Sequence, residues 1–388
     1  MKGRMGPEDI IRLYRHDFRA FLAFAFREAF PGKKLAEGWY LDVVVDELMR
    51  CRPDRAHRLM LNLPPRYLKS FCASIAWPLF MAAHHPGQRF CVIAGTRELA
   101  SEFGALRHRL LASKRLQRVF PQLRYRETGE TLTFANQSQI VQSHVARSQI
   151  GRGADVFIID DPLPARHARN DRMRNAINAW YSDEVIARLS RKARASLIIV
   201  MQRLHRDDLC GHVLKSESNW RQLALSAIAR KDEQWLLSDG RTFARTAGTA
   251  VCEEIETLSA LHATLWAMNG PNFRAQYLQA PAGELHDHED RAFYHHTRVP
   301  VDWKLGEPKL KPYGGLFRVR EERFVEFEYF GVENPYTTGR EQTPEEVEQE
   351  GLIQQRELLA RCRRERTEPK EAETANSWQN SPHWHRLR

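Results

Sequence analysis

Two pairs of adjacent polar residues each follow an apolar run that predicts a buried strand. Lys69-Ser70 comes shortly after the run that ends at Leu63, and Asp160-Asp161 directly follows another run about ninety residues downstream. A lysine can neutralise phosphate oxygens and a serine hydroxyl can bind Mg²⁺, while carboxylates at a strand end can hold the same ion and polarise a water molecule. An Asp-Asp pair alone is a weak signal, but the two pairs together predict a phosphate and magnesium site.

The loop between Leu63 and Ser70 departs from the phosphate-binding pattern G-x-x-x-x-G-K-[ST] at both glycines. Leu63 and Leu68 occupy those positions, whereas the Lys-Ser pair and the order strand, loop, helix are retained. The first amides of the following helix point into such a loop and favour an anion there. The alternative is a turn made by Pro64-Pro65 that happens to precede a lysine.

A third polar position follows the apolar run 197–201. Gln202 and Arg203 come next in the sequence, and the carboxyl edge of an open α/β sheet is where ligands bind. Gln202 is therefore a candidate for sensing a bound phosphate, whereas Arg203 could equally form an ordinary salt bridge at the sheet edge.

The elements that must position these residues follow from the hydrophobic pattern. The runs 58–63, 90–94, 156–159 and 197–201 are largely apolar and alternate with segments of helical periodicity. Such a pattern predicts an α/β fold with a mostly parallel sheet flanked by helices. We expect this core over residues 55–230.

Three further regions surround the core. Apolar positions at helical spacing predict a helical N-terminal segment over residues 1–54. A helical linker or lid is expected over residues 231–282, and residues 283–388 are expected to be irregular apart from a final helix. That helix should begin at Thr343, which is followed by proline and glutamate in the order of an N-terminal cap.

Five stretches of the sequence together resemble the large terminase subunit of tailed bacteriophages, over about residues 35–280. They are Pro64-Pro65-Arg66-Tyr67-Leu68-Lys69-Ser70, Gly151-Arg152-Gly153-Ala154-Asp155, Phe157-Ile158-Ile159-Asp160-Asp161-Pro162, Met201-Gln202-Arg203-Leu204-His205 with Asp207-Asp208-Leu209, and Phe273-Arg274-Ala275-Gln276-Tyr277-Leu278-Gln279. The resemblance implies a P-loop NTPase fold and an ATP-hydrolysing, Mg²⁺-dependent motor that moves double-stranded DNA into a procapsid.

The resemblance also implies roles for individual residues. The ATP-binding loop would comprise Pro65, Arg66, Tyr67, Leu68, Lys69 and Ser70. The Mg²⁺ ligands would be Ser70 and Asp160, and the catalytic residues would be Asp161, Arg66 and Gln202. Charge on the γ-phosphate would be neutralised by Arg66, by Arg152 or by an arginine of a neighbouring subunit. Two positions depart from the family pattern, since Leu68 replaces the usual glycine and Asp161 the commoner glutamate.

A complete large terminase also carries a nuclease, whose two-metal site needs carboxylates on separate strands. Asp302 is the last aspartate of this chain, and residues 303–388 contain only glutamates as acidic residues. We therefore expect no recognisable nuclease domain. The cluster 286–290, with His295 and His296, could bind a metal ion or could be an exposed loop.

The net charge of +10 makes a polyanionic partner plausible. The densest basic run comprises Arg107, Arg109, Lys114, Arg115, Arg118, Arg124 and Arg126. A motor that grips duplex DNA needs such cations to contact phosphates without reading bases. We expect this run, or the cations Arg188, Arg191, Lys192 and Arg194, to contact DNA; the alternative is an ordinary solvated helix face.

Composition also bears on location and assembly. No apolar stretch approaches the ~18 residues of a membrane span, and six dispersed cysteines without a C-x-x-C pair fit reduced thiols. The expected location is the bacterial host cytoplasm, at the procapsid portal during packaging. The expected partners are the small terminase subunit, the portal protein and further copies of the chain in a ring. Two alternatives are a decayed prophage DNA-binding protein without ATPase activity and a translocase of helicase type.

Overall fold

The computed structural model describes residues 6–53, 55–147, 153–189, 194–268 and 270–281 in full, together with the backbone of four strands between residues 298 and 326. The chain divides into two compact units, Met1–Lys309 with Leu316–Tyr329 and Leu310–Gly315 with Phe330–Arg388. All the helices described below and the main sheet belong to the first unit.

The helices are α1 (Pro7–His16), α2 (Phe18–Ala29), α3 (Trp39–Arg50), α4 (Trp77–His84), α5 (Arg97–Ala112), α6 (Lys114–Val119), α7 (Asp171–Trp180), α8 (Leu209–Ser216), α9 (Leu258–Ala267) and α10 (Gly270–Gln276). A π-helical segment, Phe71–Ala76, leads directly into α4. Short 3₁₀ or π segments cover Pro121–Leu123, Ala165–His167, Tyr181–Val185 and Ile186–Arg188. Among the helices that the structure describes, none is both long and apolar enough to cross a membrane.

The strands are β1 (Arg58–Asn62), β2 (Arg89–Ala94), β3 (Tyr125–Thr128), β4 (Thr131–Phe134), β5 (Gln139–His144), β6 (Val156–Asp160), β7 (Ser196–Val200), β8 (Arg221–Ala224), β9 (Glu233–Leu236), β10 (Thr242–Arg245), β11 (Arg298–Pro300), β12 (Pro308–Leu310), β13 (Leu316–Glu321) and β14 (Phe324–Glu326). Eight of them form the main sheet, in the order β3-β4-β5-β2-β6-β7-β1-β8.

The main sheet is parallel from β5 to β8, and only β3, β4 and β5 are joined antiparallel. The predicted α/β fold with a mostly parallel sheet is confirmed. β7 lies between β1, which leads into the Lys69 loop, and β6, which ends at Asp160. Lys69-Ser70 and Asp160-Asp161 therefore follow strands that have one other strand between them.

Side chains that alternate along the central strands pack into two cores, one on each face of the sheet. Leu61, Val92 and Ile158 belong to the core that includes residues of α2 to α5. Met60 and Ile159 belong to the other core, which includes residues of α7 and α8. Because both faces are covered, the central strands need apolar residues at every position, which is the pattern read from the sequence.

The N-terminal segment contains three helices, and the first two are separated at Asp17. Asp17 Oδ1 accepts a hydrogen bond from the Ala20 amide at 2.8 Å, which is the geometry of a helix N-cap. In α2, Phe21 packs against Phe80 and Phe120, with ring centroids 5.4 Å apart in each case. These aromatic contacts attach the N-terminal helices to the main sheet's helical layer.

Residues 231–282, expected to form a helical linker, contain strands as well as α9 and α10. β9 and β10 pair antiparallel around Asp239-Gly240, where Gly240 has φ 86°. An Asp-Gly pair between two short strands favours a tight hairpin because glycine adopts the left-handed backbone without strain. The segment is therefore a hairpin followed by two helices.

Four short strands lie in the region expected to be irregular. β14 pairs antiparallel with β11 and with β13. The sequence pattern predicts none of these strands. The final helix expected from Thr343, the cluster 286–290 and His295 and His296 lie outside the described residues, so the metal and helix predictions made for them stay predictions.

Gly95 is the point at which the end of β2 comes closest to the turn after β6. A Cβ added at Gly95 would lie 1.9 Å from the backbone oxygen of Asp161. Since backbone cannot give way as a flexible side chain does, we expect Gly95→Ala to lower the free energy of unfolding by about 2 kcal/mol. Chemical denaturation of the two proteins measures this difference.

Gly104→Ala is the matched control, because a Cβ at Gly104 would meet no heavy atom within 4 Å. Gly104 lies inside α5, where alanine is favoured over glycine by about 0.8–1 kcal/mol. We expect this variant to be at least as stable as the wild type. Equal stability of the two glycine variants would contradict the close approach of Gly95 to Asp161.

Candidate functional site

The main sheet brings the ends of β1, β6 and β7 together at one edge. Leu61 and Asp160 both lie beside Val200 in the strand register. The Asp161 amide donates to the Val200 carbonyl at 2.7 Å, and the Met201 amide donates to the Leu61 carbonyl at 3.1 Å. The residues that follow these three strands, which the sequence singled out separately, therefore emerge side by side.

The loop after β1 has an unusual backbone. Arg66 and Leu68 have φ values of 71° and 57°, in the left-handed region that favours glycine. Leu68 stands at the second glycine of the phosphate-loop pattern, so the loop adopts the glycine conformation with a leucine in place. A non-glycine residue there costs roughly 1–2 kcal/mol. Leu68 is partly buried and packs against the core on one face of the sheet, which offsets this cost.

Two contacts join this loop to the end of β6. Ser70 Oγ donates to Asp160 Oδ1 at 2.9 Å, and Lys69 Nζ lies 3.1 Å from Asp161 Oδ2. Ser74, one helical turn after Ser70, donates to the second carboxylate oxygen of Asp160. Lys69 is 8% exposed, so its ammonium group depends on Asp161 for a compensating charge.

Asp160 is fully buried. Burial first, and then the neighbouring charge of Asp161, raise the pKa of Asp160, while Lys69 and the hydroxyls of Ser74 and Ser70 act in the opposite direction. The rise means that the ionised form is held in surroundings that do not fully stabilise it. A cation beside this carboxylate would stabilise its ionised form.

The donor atoms at this point fit Mg²⁺. Ser70 Oγ and Asp160 Oδ1 are adjacent oxygens, and Mg²⁺ binds proteins through one or two such ligands while phosphates and waters complete its octahedron. Among the described residues, no group of three or more His, Cys, Asp or Glu side chains could hold a metal ion. The Ser70 and Asp160 pair suits an ion that binds together with a phosphate ligand.

Asp161 occupies a tight turn with φ 42°. The turn directs its carboxylate to Lys69, and the side chain remains 28% exposed. Aspartate is one methylene shorter than the glutamate that the family pattern prefers, yet it reaches the lysine ammonium directly. The carboxylate therefore contacts the lysine on one side and solvent on the other.

Gln202 and Arg203 have different environments at the end of β7. Gln202 Oε1 is buried and has no hydrogen-bond partner among the described residues. Arg203 Nε lies 3.2 Å from Asp208 Oδ2, and the two side chains are 3% and 2% exposed. The Arg203 amide also donates to Gln279 Oε1 at 3.0 Å. Arg203 thus forms the ordinary salt bridge that the sequence left open, and Gln202 keeps an unused acceptor.

Asp208 holds the turn after β7 in place. It caps α8 through the Gly211 amide at 2.8 Å, and it accepts hydrogen bonds from the amides of Leu204 and His205. Sequence reasoning quoted Asp208 in a motif without giving it this role. The signal was available, because an aspartate directly before the first apolar residue of a helix is typical of an N-cap.

Two more residues near the loop were missed. Ser74 could have been found, because it follows Ser70 by four residues and so shares its helix face. Glu256 precedes α9 and lies near Arg66; burial raises its pKa, against the opposing charge of Arg66. Glu256 Oε2 has no hydrogen-bond partner in the described part of the chain. Arg66 itself is exposed.

The expectation that Arg107 contacts DNA is wrong. Arg107 is 1% exposed and its Nη1 donates to the Ser74 carbonyl at 3.2 Å. It follows Phe103 by four residues and precedes Leu110 by three, and both are buried, so Arg107 lies on the inward face of α5. The other cations of the run are exposed: Arg109, Lys114, Arg115, Arg118, Arg124 and Arg126.

The second basic group is only partly described. Arg188 donates to Glu184 at 2.7 Å, and Arg194 is exposed. Arg191, Lys192 and Arg152 lie outside the residues that the structure describes, so their predicted contacts with DNA or phosphate stay predictions.

No protein-family model matches the sequence, and no curated protein matches it. Among solved structures, the HK97 bacteriophage large terminase is 12% identical with a TM-score of 0.43, covering 79% of this chain and 66% of that chain. The ATPase domain of a Thermus phage large terminase is 15% identical with a TM-score of 0.41, covering 66% and 97%. A thermophilic bacteriophage large terminase in complex with ATP-γ-S is 12% identical with a TM-score of 0.34, covering 92% and 82%.

The similarity of this chain to these three structures is a similarity of fold. The chain spans 66%, just under two thirds, of the length of the HK97 protein. The solved structures are large terminases, the family that the sequence motifs resemble.

In the absence of Mg²⁺ and nucleotide, we expect Asp160→Asn to raise the melting temperature by ~2–4 °C, equivalent to about 1 kcal/mol. The substitution removes a buried charge, while asparagine still offers an acceptor to a serine hydroxyl. The raised pKa of Asp160 means that the folded protein keeps a proton that the unfolded chain loses above the ordinary value of 3.8. Wild-type stability should therefore fall relative to the variant as pH rises from about 4 to about 7.

Thermal unfolding across this pH range measures the effect, with Asp183→Asn as the control because Asp183 is exposed. The control should follow the wild type at every pH. A stability difference between wild type and Asp160→Asn that does not change with pH would contradict the raised pKa.

Proposed function

We propose that this chain is the ATP-hydrolysing motor subunit of a phage or prophage terminase, which moves double-stranded DNA into a procapsid. The observation that carries the proposal is the pair of contacts Ser70–Asp160 and Lys69–Asp161, which join a phosphate-type loop to an acidic strand tip. The position of β7 between β1 and β6 supports it, because ligands of open α/β sheets bind at the carboxyl edge where these strands end.

ATP would bind through its phosphates to the loop of residues 65–70. The amides at the start of the following helix and the Lys69 ammonium favour phosphate oxygens at this position. Mg²⁺, held by Ser70 and Asp160, would supply positive charge against the negative charge of the transferred phosphoryl group. Ser74 would keep the Asp160 carboxylate oriented toward the ion.

Asp161 is the group that we assign to the attacking water. In the structure its carboxylate neutralises Lys69; once phosphate oxygens take over that lysine, the carboxylate is free to accept a hydrogen bond from water. As the water oxygen bonds to the γ-phosphorus, the bond from that phosphorus to the bridging oxygen breaks, ADP leaves, and Asp161 accepts the proton that the water loses.

Arg66 and Gln202 complete the proposed site. Arg66 is exposed on the loop and would neutralise charge on the γ-phosphate. Gln202 Oε1 is a buried acceptor that no described residue uses, and it lies at the sheet edge between the loop and the acidic pair. We assign Gln202 the sensing of the γ-phosphate, with its Nε2 donating to a phosphate oxygen.

Double-stranded DNA is the proposed macromolecular partner, through the exposed cations of α5, α6 and the residues up to Arg126. A ring of identical subunits, the small terminase subunit and the portal protein follow from the motif resemblance, as does a location in the host cytoplasm at the procapsid portal. Of these partners, only DNA is supported by an observation besides the resemblance, which is that six cations of the run are exposed.

The ATPase assignment predicts that wild type releases phosphate from Mg-ATP and that Lys69→Ala and Asp160→Ala do so only at background. Asp161→Asn should reduce kcat by about 100-fold or more because the proton acceptor is lost, and it should still bind ATP because phosphate oxygens replace Asp161 as the partner of Lys69. Lys215→Ala, which removes an exposed lysine from the surface, is the control and should behave as wild type. Wild-type release no faster than that of Lys69→Ala would refute the ATPase and favour the decayed DNA-binding protein.

The DNA assignment predicts that reversing Lys114 and Arg118 to glutamate weakens duplex binding and DNA-stimulated ATPase. If each cation contacts one phosphate, the slope of log affinity against log salt should fall by about 2. The control reverses Lys34 and Lys231, which are equally exposed but lie outside the run. Equal slopes for both double variants would remove this surface from the proposal. Separation of DNA strands by the wild-type protein would favour the helicase-type alternative.

A further inference from the structure

A cavity of about 260 Å³ lies between one face of α5 and the strands β3 to β5. Ala100, Ser101 and Gly104 of the helix line it, and their small size leaves the space open. A Cβ built on Gly104 would meet no heavy atom within 4 Å. The cavity includes none of the residues assigned to ATP, Mg²⁺ or the attacking water, so it requires an explanation of its own.

Two buried hydrogen-bond donors in the cavity wall are unused. Arg107 and Ser143 both line the cavity and are 1% and 3% exposed. Arg107 Nη1 donates to the Ser74 carbonyl, but neither Arg107 Nη2 nor Ser143 Oγ has a partner within the described part of the chain. Burial lowers the pKa of Arg107 to about 10, so the guanidinium remains charged at neutral pH. Because buried charges are normally paired, these donors indicate a ligand that accepts hydrogen bonds.

Gln142 adds one acceptor to the same wall. Its Nε2 donates to the carbonyls of Val92 and Ser143, at 3.2 Å each, which fixes the orientation of the amide. Gln142 Oε1 is then a buried acceptor to which no described residue donates. The wall therefore needs a ligand with several acceptor oxygens and one O–H donor, and a hydrogen phosphate group has this combination.

The charges around the cavity favour an anion. Glu130 pairs with Arg147, and Glu127 Oε1 lies 3.2 Å from His108 Nε2, which can donate a hydrogen bond to it. Arg97, in the first turn of α5, is exposed and interacts with the adjacent carboxylate of Glu98. Arg107, in contrast, is buried and forms no ion pair with a described residue, so the unpaired buried charge in the wall is positive.

We propose that this cavity binds a protonated phosphate group, with Arg107 and Ser143 donating to its oxygens, Gln142 accepting its proton and Arg97 at the entrance. The volume is below the roughly 300–1,000 Å³ of typical small-molecule sites, which fits a ligand of this size. Free inorganic phosphate and the terminal phosphate of a mononucleotide share the required chemistry.

Calorimetric titration of full-length Lys69→Ala protein with inorganic phosphate tests the proposal, because this background removes the lysine that would bind phosphate in the loop after β1. We expect one saturable site. Sulfate has the same shape without the proton, so it should bind at least about tenfold more weakly, and Ser143→Ala should weaken phosphate binding by about tenfold. No phosphate binding, or equal binding of sulfate, would overturn the proposal.

Filling the cavity provides an independent test in the same background. Gly104→Leu places a side chain in the open space, whereas Ala105→Leu adds the same side chain at an exposed neighbouring position. Phosphate binding should be lost in the first and kept in the second, with similar melting temperatures. Equal binding by both would place the phosphate elsewhere and refute the site.

Titration with AMP distinguishes the two sources of phosphate. Binding of AMP as tightly as inorganic phosphate supports the terminal phosphate of a mononucleotide as ligand, and binding of inorganic phosphate alone supports the free ion. None of these measurements involves hydrolysis of ATP. A failure here therefore leaves the proposed ATPase unaffected, and a failure of the ATPase leaves the cavity's ligand unaffected.

Discussion

The carboxylate of Asp160 accepts hydrogen bonds from Ser70 and Ser74, which lie one helical turn apart. These two bonds fix the helix that follows the Lys69 loop against the tip of β6, so the loop has one position relative to the sheet. Since Asp160 is fully buried, its charge depends on these hydroxyls and on Lys69 among the described residues. The geometry of the whole edge depends on this carboxylate, and the same burial makes it a strong ligand for a cation.

The sheet and the meeting of Lys69-Ser70 with Asp160-Asp161 could be predicted from the sequence. Both predictions rest on one rule, that apolar strands alternating with helices form a parallel sheet whose carboxyl ends share an edge. The burial of Arg107 could also have been predicted, because Phe103 and Leu110 mark its helix face as the inward one. Along the sequence Arg107 is one of a run of cations, whereas on the helix it lies on the face that carries these two buried residues.

Other features depend on contacts between distant segments, which no local pattern contains. Arg107 and Ser143, which carry buried unused donors, line one cavity only because α5 packs beside β5. The left-handed backbone of Leu68 is likewise not predicted by the residue, which disfavours it. Packing of the leucine against the core makes this conformation tolerable, and that packing is known only once the fold is known. A phosphate-loop pattern that requires glycine is therefore too strict where the neighbouring core can hold a leucine.

Lys69 links the state of the loop to the state of Asp161. A lysine that is 8% exposed needs an anion beside it at all times, and in this structure Asp161 is that anion. If phosphate oxygens take its place, the lysine keeps a partner and the carboxylate loses one. Asp161 would then be free to act on water only when phosphate is bound, since at other times its charge is held by the lysine. The shorter aspartate suits this exchange, because the turn at φ 42° already brings its carboxylate within 3.1 Å of the ammonium.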